Sequence, residues 1–198
     1  MAEDSIDPSP IEAAQRFVEE EEGPRRHLTG VVGKFTSVIA VGMSLLFLYW
    51  AWASVTAQVL RLVFLGLALT LSFLIYPTSR SGNRSHIPWY DWLLALASIA
   101  VVAYPLWDFE EFIYRAALPT QVDQIFGAVT MILVLEATRR TTGWVLPVVA
   151  VCFLAYASFG AYLPPPWTHQ GYQLDRLVGH MYVTLEGIFG VPLDVAAT

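Results

Sequence analysis

The sequence is poor in charged residues. Only 14% of its 198 residues are Asp, Glu, Lys or Arg, whereas 56% are hydrophobic. A soluble domain of this length has about a quarter charged residues. A single cysteine, Cys152, excludes an intramolecular disulfide. The basic residues form no stripe, which argues against a nucleic-acid partner. Together these deficits predict an integral membrane protein.

Motifs that carry enzyme chemistry are also missing. The sequence has no nucleophile elbow, no phosphate-binding Gly-rich loop and no cysteine pair, so no catalytic residue is predicted. The four histidines lie outside the long apolar segments and match no metal-binding spacing; they are His27, His86, His169 and His180. We therefore predict neither an enzyme nor a metal site.

Acidic residues concentrate at the start of the chain. Eight of the 17 Asp and Glu residues lie in the first 22 positions. Ser9, with Glu12 three residues later, has the spacing of a capping box that starts a helix. Residues 1–30 are therefore predicted to be a cytoplasmic acidic tail that contains a short helix.

Five apolar segments follow this tail, and about 20 apolar residues are enough to cross a bilayer core as a helix. They are residues 35–54, 58–76, 89–107, 122–138 and 141–163. The fourth is the weakest, because its uncharged run covers only 12 residues. A helix there has to include Asp123 or Glu136 near its ends, or lie partly buried in protein. The predicted fold class is an all-α integral membrane protein with about five transmembrane helices.

Two shorter segments each have one apolar face. Phe109, Phe112 and Ile113 share a face of a short helix that follows Asp108. Residues 174–189 place apolar side chains at the i, i+3, i+4, i+7 spacing of an amphipathic helix. Both are predicted to lie in the membrane interface. The second needs a partner to cover its apolar face.

Basic residues fall in alternate loops. They precede the first apolar segment, separate the second from the third, and separate the fourth from the fifth: Arg25, Arg26, Lys34, Arg80, Arg84, Arg139 and Arg140. The other loops contain only Arg115 and Arg176. Because basic loops stay in the cytoplasm, the N-terminus is predicted to be cytoplasmic, with residues 108–121 and 164–189 outside.

One acid stands beside the paired arginines. Glu136 lies three and four residues before Arg139 and Arg140, so the three side chains share one face of a helix. One interpretation is an ion pair on the cytoplasmic side that ends the fourth span. The other is a coupling or gating carboxylate, since ionisable groups at membrane depth are costly and often functional. The sequence leaves both open.

The residues around Glu136 resemble a known family. Leu135–Arg140, followed by Gly143-Trp144 and Pro147, resembles the fused permeases of TRAP transporters, in the branch served by TAXI-type binding proteins. Residues 115–120 and 182–193 are similar to the same family. The resemblance covers residues 85–198, and the first two apolar segments match only in hydropathy.

The resemblance implies a secondary transporter of the bacterial inner membrane, driven by an ion gradient, commonly sodium, with no other cofactor. A periplasmic TAXI-type binding protein would deliver an organic anion, a carboxylate, to the outer face. Residues 31–140 would be a four-helix small-subunit-like domain, and residues 141–198 the start of the large permease domain. The transport core would lie beyond Thr198.

The implied partners are the remaining permease domain or large subunit, the binding protein and membrane lipid. Four charged or titratable residues of the external segment would be a contact site for the binding protein: Asp175, Arg176, His180 and Glu186. The alternative function is a membrane scaffold or assembly protein without a translocation role. A downstream sequence with many further apolar spans would favour the transporter.

Overall fold

The structure is a computed structural model that describes residues 11, 25–26, 28, 30–53, 55–79, 86–115, 119–184, 187–190, 193 and 195–196. The helix predicted in the acidic tail therefore lies outside the described residues, except for Ile11. Within the described residues the chain forms helices and no strand, which agrees with the all-α prediction.

Seven α-helices account for most of the described residues. They are α1 (Gly30–Trp52), α2 (Ala57–Ile75), α3 (Trp89–Trp107), α4 (Phe109–Tyr114), α5 (Gln121–Thr142), α6 (Val145–Phe159) and α7 (Leu174–Val183). A 3-10 turn, Gly160–Tyr162, follows α6. Five helices, namely α1, α2, α3, α5 and α6 with its turn, are long and apolar enough to cross a membrane. The prediction of five such helices is confirmed.

The helices pack around α2, α3 and α5. α2 lies along α3, α5 contacts both, and α7 packs on α5. Their shared core includes Leu65, Val101, Leu133 and Tyr182. α1 and α6 lie outside this core, since only 6% and 11% of their apolar stretches are buried. Apolar surfaces of this extent on two peripheral helices suit lipid or another protein rather than water.

The boundary between the fourth and fifth apolar segments differs from the prediction. α5 covers residues 121–142 instead of 122–138, and so includes Arg139 and Arg140, which were predicted to lie between two spans. It ends because Gly143 has a φ of 87°, a left-handed conformation that glycine adopts without strain. Pro147 is the third residue of α6, where its missing N–H would have no helical partner anyway.

The amphipathic helix predicted over residues 174–189 is shorter in the structure. α7 ends just before Thr184, whose hydroxyl donates to the His180 carbonyl at 2.6 Å. This hydroxyl competes for an acceptor that the helix backbone uses. The chain then folds back, and the Ile188 N–H donates to the Met181 carbonyl at 2.8 Å.

The apolar face of α7 is covered within the chain. A Cβ atom on Gly127 of α5 would meet Val178 and Tyr182 of α7 at 2.8 and 2.9 Å, so the two helices are in close contact. Tyr182 is fully buried, with its ring centroid 5.6 Å from that of Phe112 and 5.7 Å from that of Phe189. α7 therefore belongs to the bundle core, and α5 is the partner for its apolar face.

Candidate functional site

Five charged residues meet at one end of the bundle: Arg26, Asp91, Glu136, Arg139 and Arg140. We call them the charge cluster. Asp91 lies in the first turn of α3, and both arginines of α5 lie in its last turn. An acid at a helix N-terminus and a base at a C-terminus are each favoured by the helix dipole. The dipole of α3 therefore stabilises the Asp91 carboxylate, and the dipole of α5 stabilises the two arginines that this helix contributes to the charge cluster.

Asp91 is the centre of the charge cluster. Its side chain is completely buried, and those of Arg26 and Arg140 are 1% exposed. Arg140 Nη1 donates to Asp91 Oδ1 at 2.8 Å, and Arg26 Nη2 donates to Oδ2. Burial costs each ion on the order of several kcal/mol. The Asp91 carboxylate offsets that cost for both arginines.

Glu136 joins the two arginines of α5. Its carboxylate accepts hydrogen bonds from Arg139 Nε and Nη2 and from Arg140 Nε, each at 2.7 Å. This is the geometry expected for residues three and four apart on a helix. Arg140 is thereby held between two carboxylates, and its guanidinium lies 5.0 Å from the ring centroid of Phe73.

The arginines of the charge cluster also cap the end of α2. The last carbonyls of a helix have no donor within it. Arginine side chains donate at 3.1–3.3 Å to four carbonyls in this region, those of Phe73, Leu74, Tyr76 and Thr78. The Arg26 backbone N–H donates to the Ile75 carbonyl at 2.9 Å. The charge cluster therefore satisfies backbone acceptors and charges together.

The sequence did not predict that Arg26 and Asp91 belong to the charge cluster. Arg26 falls in the predicted tail, yet its side chain is buried against α2 and α3. Asp91 lies at a helix start, where an acid needs no further explanation. A signal was present, because Asp91 is the only acid between residues 23 and 107, a stretch with six basic residues. An arginine from that stretch that becomes buried therefore finds no carboxylate within the stretch except Asp91.

The hydrogen bonds of Glu136 are those expected of an ion pair that ends the helix. Three donors from its own helix surround the carboxylate, and the charge cluster ties together the ends of α2, α3 and α5. A coupling or gating carboxylate has to change its protonation or its ligand during a cycle. That interpretation stays a prediction.

A second buried carboxylate, Asp123, fixes the opposite end of α5. It accepts from the N–H and hydroxyl of Thr120, at 2.8 and 2.7 Å, in a capping box. The Tyr104 hydroxyl donates to it at 2.7 Å, and Arg115 lies 3.8 Å away. These contacts explain how the fourth segment begins with an acid that is not exposed.

Three of the four residues predicted to contact a binding protein lie together. Asp175, Arg176 and His180 of α7 line a cavity of about 740 Å³, which Gln124 of α5 also lines. We call it the outer cavity. All three side chains are exposed. Glu186 lies outside the described residues.

In the described part of the chain, no group of three or more His, Cys, Asp or Glu side chains could hold a metal ion. His169 contacts its own loop and the end of α6. Its Nδ1 accepts from the Gly171 N–H at 3.0 Å, and its Nε2 lies 3.1 Å from the Tyr156 carbonyl. Cys152 is exposed on α6.

No protein-family model, curated protein or solved structure matches this chain. The resemblance to TRAP permeases therefore rests on the sequence segments quoted above. The geometry itself provides a paired charge cluster at one end of the bundle and a cavity with charged walls at the other.

Proposed function

We propose that this chain is a multi-pass protein of the bacterial inner membrane, with its N-terminus in the cytoplasm, and that it supports the transport part of a TRAP-type permease for organic anions. One observation carries the proposal: the segments that resemble the family also build the bundle. Leu135–Arg140 supplies three members of the charge cluster. Residues 182–189 supply Tyr182 and Phe189 to the core.

A supporting role, rather than a transport core, is favoured by the polar groups in the middle of the helices. Thr70, Ser98 and Thr130 are buried, and each hydroxyl donates to the carbonyl four residues earlier, at 2.7–2.9 Å. Secondary transporters bind ions and substrate near mid-membrane with the exposed backbone groups of broken helices. These three hydroxyls are used by their own helices.

Two surfaces suit the partners of such a support. The exposed apolar faces of α1 and α6 match lipid or the helices of a transport part. The outer cavity lies at the end that the distribution of basic residues assigns to the outside, where a periplasmic binding protein would dock. Complementary charges across an interface mainly set association rate and specificity. Asp175 and Arg176 are therefore expected to affect the rate of docking more than assembly of the permease.

A membrane scaffold or assembly protein without a translocation role is the alternative. The ion pairs of the charge cluster fit it equally well, because they hold the ends of α2, α3 and α5 together and such a role requires no transport.

Reconstitution in liposomes separates the two functions. This chain, the transport part encoded with it, and both together are compared under an inward sodium gradient, with the cognate binding protein and a radiolabelled carboxylate. We expect uptake only when both are present. Uptake by this chain alone would contradict a supporting role, and full uptake by the transport part alone would favour the scaffold.

Glu136→Gln tests the coupling interpretation in the same assay. If Glu136 is structural, the remaining uptake keeps its sodium dependence while assembly weakens. Loss of sodium dependence with normal assembly would instead support coupling. Glu110→Gln, the same substitution at an exposed position of α4 outside the charge cluster and the outer cavity, is the control for a general effect of charge.

A further inference from the structure

A second cavity lies beside the charge cluster. It has a volume of about 340 Å³ and lies between the residues that follow α2 and the junction of α5 with α6. We call it the arginine cavity. Its lining includes Thr78, Ser79, Arg139, Arg140 and Trp144.

The arginine cavity borders an excess of positive charge. The charge cluster contains three guanidinium groups and two carboxylates. Arg139, whose side chain is 18% exposed, uses three of its five N–H groups on Glu136 and Thr78. The other two have no acceptor among the described residues. The cavity therefore offers an anion both N–H donors and a net positive charge.

The start of α6 adds a second attraction for an anion. α6 begins at Val145, and the residue before it, Trp144, provides no capping hydrogen bond from its side chain. The first N–H groups of a helix have no partner within it, and the helix dipole favours negative charge, phosphate included, at this end.

Apolar surface continues from the arginine cavity along α6. Val145, Val148 and Phe153 are 74%, 51% and 69% exposed. The Arg139 guanidinium lies 5.2 Å from the ring centroid of Trp144, and tryptophan is enriched at the level of lipid headgroups. A ligand with an anionic head and an apolar tail matches both the cavity and the helix, whereas free phosphate matches only the cavity.

We propose that the arginine cavity binds the phosphate group of an anionic phospholipid whose acyl chains lie along α6. Arg139, Ser79 and the two N–H groups that α6 leaves unpaired at its start, those of Val145 and Leu146, are the phosphate contacts. The inference rests on the membrane location proposed above and is independent of transport.

Lipid retention by the purified full-length chain tests the site. The chain in detergent is titrated with phosphatidylglycerol or with phosphatidylcholine, and native mass spectrometry counts the lipids that stay bound. We expect phosphatidylglycerol to bind about fivefold more tightly, the factor expected for one basic residue near an anionic lipid. Equal retention of the two lipids would overturn the proposal.

Variants locate the preference. Ser79→Glu adds a carboxylate to the cavity wall at an exposed position that is outside the charge cluster, and it should abolish the preference for phosphatidylglycerol. Arg176→Gln removes an exposed positive charge at the other end of the bundle, and the preference should persist. An undiminished preference in Ser79→Glu would overturn the assignment. Circular dichroism checks that each variant keeps its helical content. If Ser79→Glu does not fold, Arg139→Gln takes its place, and it too should lose the preference for phosphatidylglycerol.

Inorganic phosphate separates the two sources of the ligand. We expect millimolar phosphate not to displace phosphatidylglycerol, because it makes no contact with the apolar face of α6. Complete displacement would overturn the lipid assignment in favour of free phosphate. A lipid preference, combined with no uptake even when this chain is reconstituted with the transport part, would leave this site intact while the transporter proposal fails.

Discussion

The hydroxyl of Tyr182 donates a hydrogen bond of 2.7 Å to the carbonyl of Val101, 81 residues earlier in the chain. Pro105 explains why that carbonyl needs a donor, because its partner in α3 would be the N–H of residue 105, which proline lacks. Burial raises the pKa of Tyr182 far above its ordinary value, so the hydroxyl stays protonated and able to donate. A residue of α7 thus completes the hydrogen bonding of α3.

Tyr182→Phe removes this donor. We expect it to lower the free energy of unfolding by about 1–3 kcal/mol, the cost of a buried acceptor left unpaired. In a Pro105→Ala background the new N–H serves Val101, so the same change should cost less. Unfolding of the four proteins in mixed micelles measures the coupling. An equal cost in both backgrounds would show that Pro105 does not create the need for Tyr182.

Asp91→Asn removes the central carboxylate of the charge cluster. We expect a loss of about 3–5 kcal/mol in the free energy of unfolding, because two buried arginines lose their shared counter-charge. Glu110→Gln neutralises an exposed acid on α4 and should change stability by less than about 0.5 kcal/mol. Similar effects of the two changes, measured by denaturant titration in micelles, would refute the central role of Asp91.

A chain that begins at His27 lacks Arg26 but keeps all five apolar helices. We expect it to reach the membrane, because apolar helices of this length drive insertion. It should nevertheless melt at a lower temperature than a chain that begins at Arg25, because Asp91 loses one of its two buried arginines. Fractionation and thermal unfolding measure the two effects. Recovery of the shorter chain in the soluble fraction, or equal melting of the two chains, would contradict this expectation.

Gly127→Ala places a methyl group where α5 touches α7. We expect a loss of about 1–3 kcal/mol, the usual cost of overpacking, because the new Cβ would meet Val178 at 2.8 Å. Gly42→Ala is the matched control in α1, where a Cβ meets nothing within 4 Å; alanine there should stabilise the helix by up to about 1 kcal/mol. Stabilisation by both changes would contradict a close contact between α5 and α7 at Gly127.

Single cysteines test the orientation. In a Cys152→Ala background, Ser79→Cys should be protected from a membrane-impermeant maleimide in intact spheroplasts, and Gln170→Cys should react. Both positions are exposed. Gly171 is unsuitable because its φ of 67° disfavours a side chain and a Cβ would meet the Ser158 carbonyl oxygen at 3.0 Å. Reaction of both cysteines to the same extent would contradict a cytoplasmic N-terminus.

Helix ends show where the sequence-based prediction was limited. The third helix has the predicted bounds, since Trp89 and Trp107 delimit an apolar run whose one charged residue, Asp91, lies in the first turn. The fourth continues four residues past its predicted C-terminal end, because the charged side chains of Arg139 and Arg140 are satisfied by carboxylates and need not end the helix. The amphipathic helix is shorter than predicted, because Thr184 competes for its last acceptors.

Spacing along the chain was enough to predict the helical class, the five apolar helices and the common face of Glu136, Arg139 and Arg140. Each of these depends on residues within one helix, where the 3.6-residue period sets which side chains meet. Packing alone established the pairs of Asp91 with Arg26 and Arg140, which are 65 and 49 residues away in the chain, and the burial of α7 against α5. Such contacts depend on how separate helices approach one another, and a periodicity within one helix does not specify that approach.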